Sequence, residues 1–178
     1  SAKLESGHYF NPHAQRIIDA KARGCEIAVI DIRLSNTASA ADYWMPTFPG
    51  TEAEVLLAMA GVMLSEHLVD REFLRRWTNW RETAPHLDAS LDADATFEQF
   101  MDALTRHYSE TYTLEHAETS SGIPAETLAQ VARRAARAGP RFATHIWRNA
   151  ASGNLGGWQI SRATLFLNVL TGSIGTEG

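Results

Sequence analysis

One cysteine, Cys25, stands in 178 residues. A lone thiol excludes an internal disulfide and any zinc or iron–sulfur site built from several thiolates of this chain, and it fits a reducing compartment. Long apolar runs are also missing. The longest, Val55 to Leu64, falls well short of the roughly 20 residues that cross a bilayer. The opening SAKLESGHYF has no apolar core of a signal peptide. Positive charge is short, with 16 Lys and Arg against 21 Asp and Glu and a net charge of −5. That balance disfavours nucleic acid and anionic membrane surfaces as partners. No GxGxxG, no Walker lysine motif and no GxSxG occurs, and there is no internal repeat. His8, His13 and His145 lack a carboxylate or histidine at metal-binding spacing, so structural or surface roles are favoured for them.

What remains is ordinary globular composition, 44% hydrophobic and 21% charged, at a length suited to one domain. The chain is organised around Glu26 to Glu54: an apolar run, a charged pair, a small polar segment, an aromatic patch and a helix start. Asn11 and Pro12 open a first helix that Gly24 stops. Cys25 to Ile30 reads as a buried strand with Cys25 as a small buried residue, Ser35 to Ala41 as loop, and Asp42 to Thr47 as a short second strand. Thr51 is the expected N-cap of the next helix, with Glu54 completing a capping box. That helix is apolar over most of its circumference, which predicts burial.

Asp70 is expected to cap a helix with Phe73, Leu74 and Trp77 on one face. An acidic amphipathic insert then spans about 70–122. From Glu82 to Glu118 it carries nine carboxylates and one arginine, with Phe97, Phe100, Met101, Leu104 and Tyr108 at helical spacing. A further helix runs from Pro124 to Gly139, Arg141 to Trp147 is another strand candidate, Arg148 to Gly157 is loop, and Trp158 to Leu170 is an apolar helix. The five tryptophans are mostly core candidates. The polar start and the abrupt glycine-rich finish suggest a segment cut from a larger fold.

Four groups could carry chemistry. Asp31, just past a strand, either holds a ribose hydroxyl or base edge or is a plain turn residue. Arg33 either forks onto a phosphate or makes a surface salt bridge. In Pro49-Gly50-Thr51-Glu52 the glycine lets backbone approach a flat ligand. The glutamate can accept from the N1–H and exocyclic amine of guanine, a pairing adenine does not offer; an ordinary capped helix is the alternative. The glycine-rich loop at 153–157 could cradle a phosphate, although a tight connection explains it better.

Taken together, GHYFNPHAQRIIDAKARG, IAVIDIRLSNTASAADYWMPTFPGTEAEVLLAM and TLFLNVLTGSIGTEG resemble ordered motifs of the molybdopterin guanine dinucleotide oxidoreductases, the dimethyl sulfoxide reductase family. The family patterns are G-x-N-P, DPR, AD-x-x-LP, PGTD and LTGNIGRPG. The resemblance implies an α/β, three-layer Rossmann-like domain with a mainly parallel sheet and a helical insert. The chain would be one domain of a larger catalytic subunit, gripping the guanosine end of the molybdopterin guanine dinucleotide.

By motif, Asn11, Pro12 and His13 fall in a pyrophosphate- or pterin-side loop. Asp31, Ile32 and Arg33 fall at the ribose and guanine, and Gly50, Thr51 and Glu52 at the guanine edge. Arg148, Asn149, Ser152 and Asn154 lie in a segment reaching toward pterin. Ile32 replaces a proline and Glu52 an aspartate; Ser173 and Thr176-Glu177 replace Asn and Arg-Pro.

The family's four-cysteine iron–sulfur motif, its molybdenum ligand and its C-terminal barrel are absent from this sequence. The segment alone is therefore expected to be without turnover, with molybdenum or tungsten held mainly elsewhere. An iron–sulfur cluster is expected in the full-length protein. The expected partners are the remaining domains and an iron–sulfur electron-transfer subunit, with no nucleic acid and no membrane insertion. Two other readings are a stand-alone domain for NAD or a free guanine nucleotide, and an interaction module using the acidic insert.

Overall fold

The computed structural model describes residues 10–92, 94–146 and 155–176, with backbone only at 10–13. Most of it is helical. The first helix, α1, covers Phe10–Ala22, so Asn11 and Pro12 lie inside its first turn rather than ahead of it. After a turn in which the Cys25 amide donates to Ala20 O at 3.0 Å, strand β1 covers only Ala28–Ile30. Cys25 is exposed, contrary to expectation, because the chain is still turning off α1 there and the ladder has not begun. Ser35 caps a short helix, α2 (Asn36–Ser39), inside the segment expected to be loop. Strand β2 covers Tyr43–Met45. It pairs with β1 in parallel, Ala28 opposite Tyr43, Val29 opposite Trp44 and Ile30 opposite Met45. The result is a small parallel two-stranded sheet in a mainly helical molecule, consistent with an α/β fold.

The core is built around α3 (Glu52–Ser65). Nearly all-apolar sequence leaves it no polar face to turn to water. Val55, Leu56, Met59, Met63 and Leu64 are buried, and helices pack on it from several sides. Those helices come largely from the acidic stretch and the end of the chain: α6 (Phe97–Thr111), α7 (Leu114–Ser121), α8 (Ala125–Ala138) and α9 (Gly157–Leu170). The acidic segment thus turns its apolar face into the centre of the molecule. Leu128, Val131, Ala132 and Ala135 of α8 are buried as their spacing predicts.

Two shorter helices complete the shell, α4 (Arg71–Trp77) and α5 (Trp80–Leu87). Asp70 caps α4 by accepting from the Phe73 amide at 2.8 Å. Only Leu74 of α4 is buried; Trp77 is 74% exposed, so the expected three-residue face is not formed. Trp44 and Trp158 are also exposed, and Trp80 alone of the four described tryptophans is core. It sits edge-on to Phe97 with centroids 5.4 Å apart. Residues 141–146 hold no strand: a 3-10 turn at Gly139–Arg141 runs into extended chain without a ladder partner.

Candidate functional site

Parallel pairing sends both strands out of the sheet at the same edge. The Asp31 amide still donates to Met45 O at 3.4 Å, extending the ladder by one bond. Beyond it the two loops diverge side by side, 31–35 and 46–51. The Trp44 indole, from β2, holds the start of the first loop by donating to Asp31 O at 2.9 Å. The loop with Asp31, Ile32 and Arg33 and the loop with Gly50, Thr51 and Glu52 thus both leave the carboxyl-end edge of the parallel pair.

In the first loop the Asp31 carboxylate organises its own turn. It accepts from the Arg33 amide at 3.2 Å and from the Ser35 hydroxyl at 3.3 Å. Ser35 in turn accepts from the Ala38 amide, so the loop is tied to the start of α2. Burial disfavours the charged form of the Asp31 carboxyl, and the Arg33 N–H and the Ser35 hydroxyl favour it. The plain turn role is thus real, and it holds the charged carboxylate in place. Arg33 and Ile32 project from the loop and are exposed.

The second loop closes as a turn with Pro49 second and Gly50 third. Gly50 takes φ +95°, which glycine adopts without steric penalty, and the Thr51 amide donates to Phe48 O at 3.3 Å. Pro then Gly in this order is what a type II turn asks for. The Thr51 hydroxyl donates back to Phe48 O at 2.7 Å and lies 2.7 Å from the Thr47 hydroxyl. It therefore makes no cap on α3, and the expected capping box does not form. Glu54 instead points toward His116, Oε2 to Nε2 3.5 Å. Glu52 turns back and accepts the Gly50 amide at 2.9 Å, so its carboxylate sits over the turn at the head of α3.

Asp42 lies in the stretch that resembles the AD-x-x-LP motif. Its two oxygens take Lys21 Nζ at 2.5 Å and the Ile27 amide at 2.8 Å, fixing the end of α1 and the approach to β1 against β2. That Lys21 bond and the Ile27 amide hold its carboxyl below the usual range, with burial acting the other way. The pairing spans 21 positions, and no local signal reveals it.

At the far end of the chain, Asn168 is a buried hub. It accepts from Thr144, donates to Ser173 Oγ at 2.8 Å and to Phe142 O at 3.4 Å. Ser173, where the motif carries asparagine, is thereby satisfied. The backbone of Asn11, Pro12 and His13 opens α1, while their side chains lie outside the described residues. Arg148, Asn149, Ser152 and Asn154 lie outside them altogether, as does Trp147.

Other features stand apart from this edge. A shallow hollow of about 400 Å³ near the start of α6 is walled by Arg75 stacked on Phe97 and Arg81 stacked on Trp80. It includes no residue of the two loops. The acidic surface is partly compensated, Asp88 pairing with Arg106 and Glu98 with Arg71. Among the described residues, no three His, Cys, Asp or Glu side chains gather as a metal site, and no helix is long and apolar enough to cross a membrane.

No family model matches the chain. Over 167 residues it is 34% identical to the dimethyl sulfoxide reductase DmsA of Haemophilus influenzae, covering 91% of this chain and 20% of that protein. It is 34% identical over 120 residues to the F420-dependent formate dehydrogenase 1 subunit alpha of Methanococcus maripaludis, 67% of this chain and 15% of that one. The solved structure of acetylene hydratase from Pelobacter acetylenicus matches 90% of this chain and 19% of its own, with a TM-score of 0.67 at 24% identity, a likeness of fold. The chain spans about a fifth or less of the length of these relatives.

Proposed function

Since the chain belongs to the dimethyl sulfoxide reductase family as a segment of the catalytic subunit, we propose that it grips the guanosine end of a molybdopterin guanine dinucleotide in a molybdenum or tungsten oxidoreductase. The observation that carries this is the shared edge, with Asp31 and Arg33 on one loop and the Pro49–Glu52 turn on the other. The donor set fits. A carboxylate has about four acceptor positions, and the Gly50 amide takes one on Glu52, leaving capacity for the N1–H and amine of guanine. The Asp31 carboxylate suits ribose hydroxyls, and Arg33 suits a phosphate. Gly50 brings backbone close to the ligand without a side chain in the way; a Cβ built there meets nothing within 4 Å, so the approach is open.

The division of labour follows. When bound, the cofactor's metal supplies the redox chemistry, and this chain anchors and orients the remote end. Asn11, Pro12, His13, Arg148, Asn149, Ser152 and Asn154 are assigned to the pyrophosphate and pterin side by motif. The two strands belong, on this reading, to a larger parallel sheet in a three-layer Rossmann-like domain. Two points support that. An isolated two-stranded sheet is marginal, and β1 has an exposed first residue, an unusual state for a parallel strand. The remaining domains of the subunit complete the site, with an iron–sulfur cluster and an electron-transfer subunit beyond them.

Glu52→Ala in the full-length subunit tests the assignment. We expect loss of guanine nucleotide, counted as GMP released per subunit on acid treatment of the purified protein. Full retention would remove the guanine-recognition role.

A further inference from the structure

Phe48 is held more tightly than an exposed side chain needs to be. Its amide donates to Ser121 O at 3.0 Å, and its carbonyl takes both the amide and the hydroxyl of Thr51. One edge of its ring lies against Gly122, where an added Cβ would stand 3.2 Å from Cε2 and Cζ. Gly122 ends α7 at φ +77°, so a glycine there serves both the left-handed backbone and the close approach of the ring. With all this fixing, 59% of Phe48 remains open. Ordering an aromatic ring without burying it forfeits the burial energy that usually repays immobilisation. A ring set with one edge against backbone on a fixed turn, in a residue more than half open, can receive a flat partner.

The same closed turn carries the partner's other recognition element. Phe48 is the first residue of the turn and Glu52 lies just past it, its carboxylate tied to the Gly50 amide inside the turn. A carboxylate at the edge and an aromatic ring at the face together define a purine base, edge for identity and face for affinity. We infer that Phe48 is the stacking residue for the guanine base, with Ser121 and Gly122, at the junction of α7 and α8, as the positioning residues that aim it. The helical segment thereby acts on the cofactor site through one ring. The inference rests on the reading of Glu52 given above.

The test uses the full-length holo-subunit. Phe48→Leu keeps apolar bulk and removes the π-face; Phe48→Trp enlarges that face. The rate of GMP-bearing cofactor loss under mild denaturant is expected to rise roughly ten-fold to a hundred-fold in Phe48→Leu, and to stay near the parent in Phe48→Trp. A second measurement needs no destabilised variant: the added tryptophan in Phe48→Trp should be quenched in the holo form and brighten when the cofactor is stripped. Equal loss rates in the Leu, Trp and parent forms, or an added tryptophan blind to the cofactor, overturn the stacking role. If Glu52→Ala sheds nucleotide in the same assay while Phe48→Leu does not, the guanosine grip stands without Phe48. If neither sheds it, the grip itself is misplaced and the stacking role goes with it.

Discussion

Asp42 uses both carboxylate oxygens on structure, one for Lys21 Nζ and one for the Ile27 amide. Because its folded pKa is depressed, its contribution is fully present above the ordinary value of 3.8 and is lost as pH falls through the lower folded value. The pair is about a third open to water on each side, so the effect is on the order of 1 kcal/mol or less. Asp42→Asn is therefore expected to speed amide exchange of β1 and β2 peptides at neutral pH, after correction for intrinsic rates. The gap from the parent should begin to narrow as pH falls below about 4 and close only below the depressed folded value. A gap that widens in acid would reverse the sign. At this scale the sequence marks kinds of residue better than their tasks. Asp31 sits where a ligand or a turn residue belongs, and its local bonds to Arg33 and Ser35 follow from that position. The clamp from Lys21 and the buried asparagine at 168 depend on chain that returns from far away. The Thr51 hydroxyl shows the same limit: a threonine before a helix is a good cap, but Phe48 O and Thr47 lie closer once the turn closes.

Helices with long apolar stripes are legible because their periodicity runs over several turns. α6, α8 and α9 follow their patterns, and α3 is buried on most sides because it is apolar on most sides. The strands are three residues each, too short for an alternation to declare itself, so Cys25 to Ile30 looked longer than it is. Residues 141–146 are apolar and β-branched enough to suggest a strand, yet no described strand forms a ladder with them, and Asn168 bonds the Thr144 hydroxyl and Phe142 O instead. α4 has seven residues, two turns in all, which leaves room for one inward side chain and explains why Trp77 faces out. The weight carried by α3 gives a direct expectation. Met63→Ala, at a fully buried position, should cost about 2–5 kcal/mol through lost contacts and a residual cavity. Hydrogen exchange on the full-length subunit should show faster uptake in α3 and in the facing parts of α6 and α9. Unchanged uptake there would mean that α3 is not the centre of the core.

The chain as a whole leaves apolar side chains in the open beyond the two loops at the sheet edge. On α9, Trp158 and Leu165 are exposed at 65% and 57%, with Arg162 between them along the same stripe and stacked on Trp158, and Leu155 just before the helix is fully exposed. Scattered exposed apolar residues are ordinary, but a run along one helix face marks a contact surface. The opposite face of α9 is spent on the core, through Ile160, Ala163, Leu167 and Leu170. A relative about five times as long has ample chain to cover the outer stripe. The expectation is that the rest of the catalytic subunit does so. Hydroxyl-radical footprinting of the full-length subunit checks it: once rates are normalised to each residue's intrinsic reactivity, Trp158 and Leu165 should be protected to nearly the same degree as Ile160 and Leu167. Rates equal to those of the urea-unfolded subunit would leave the stripe facing water. Trp158→Gln with Leu165→Gln adds a second reading. Both side chains point away from α3, so helix content should hold, while contact with the covering domain should weaken and proteolytic release of this segment should quicken.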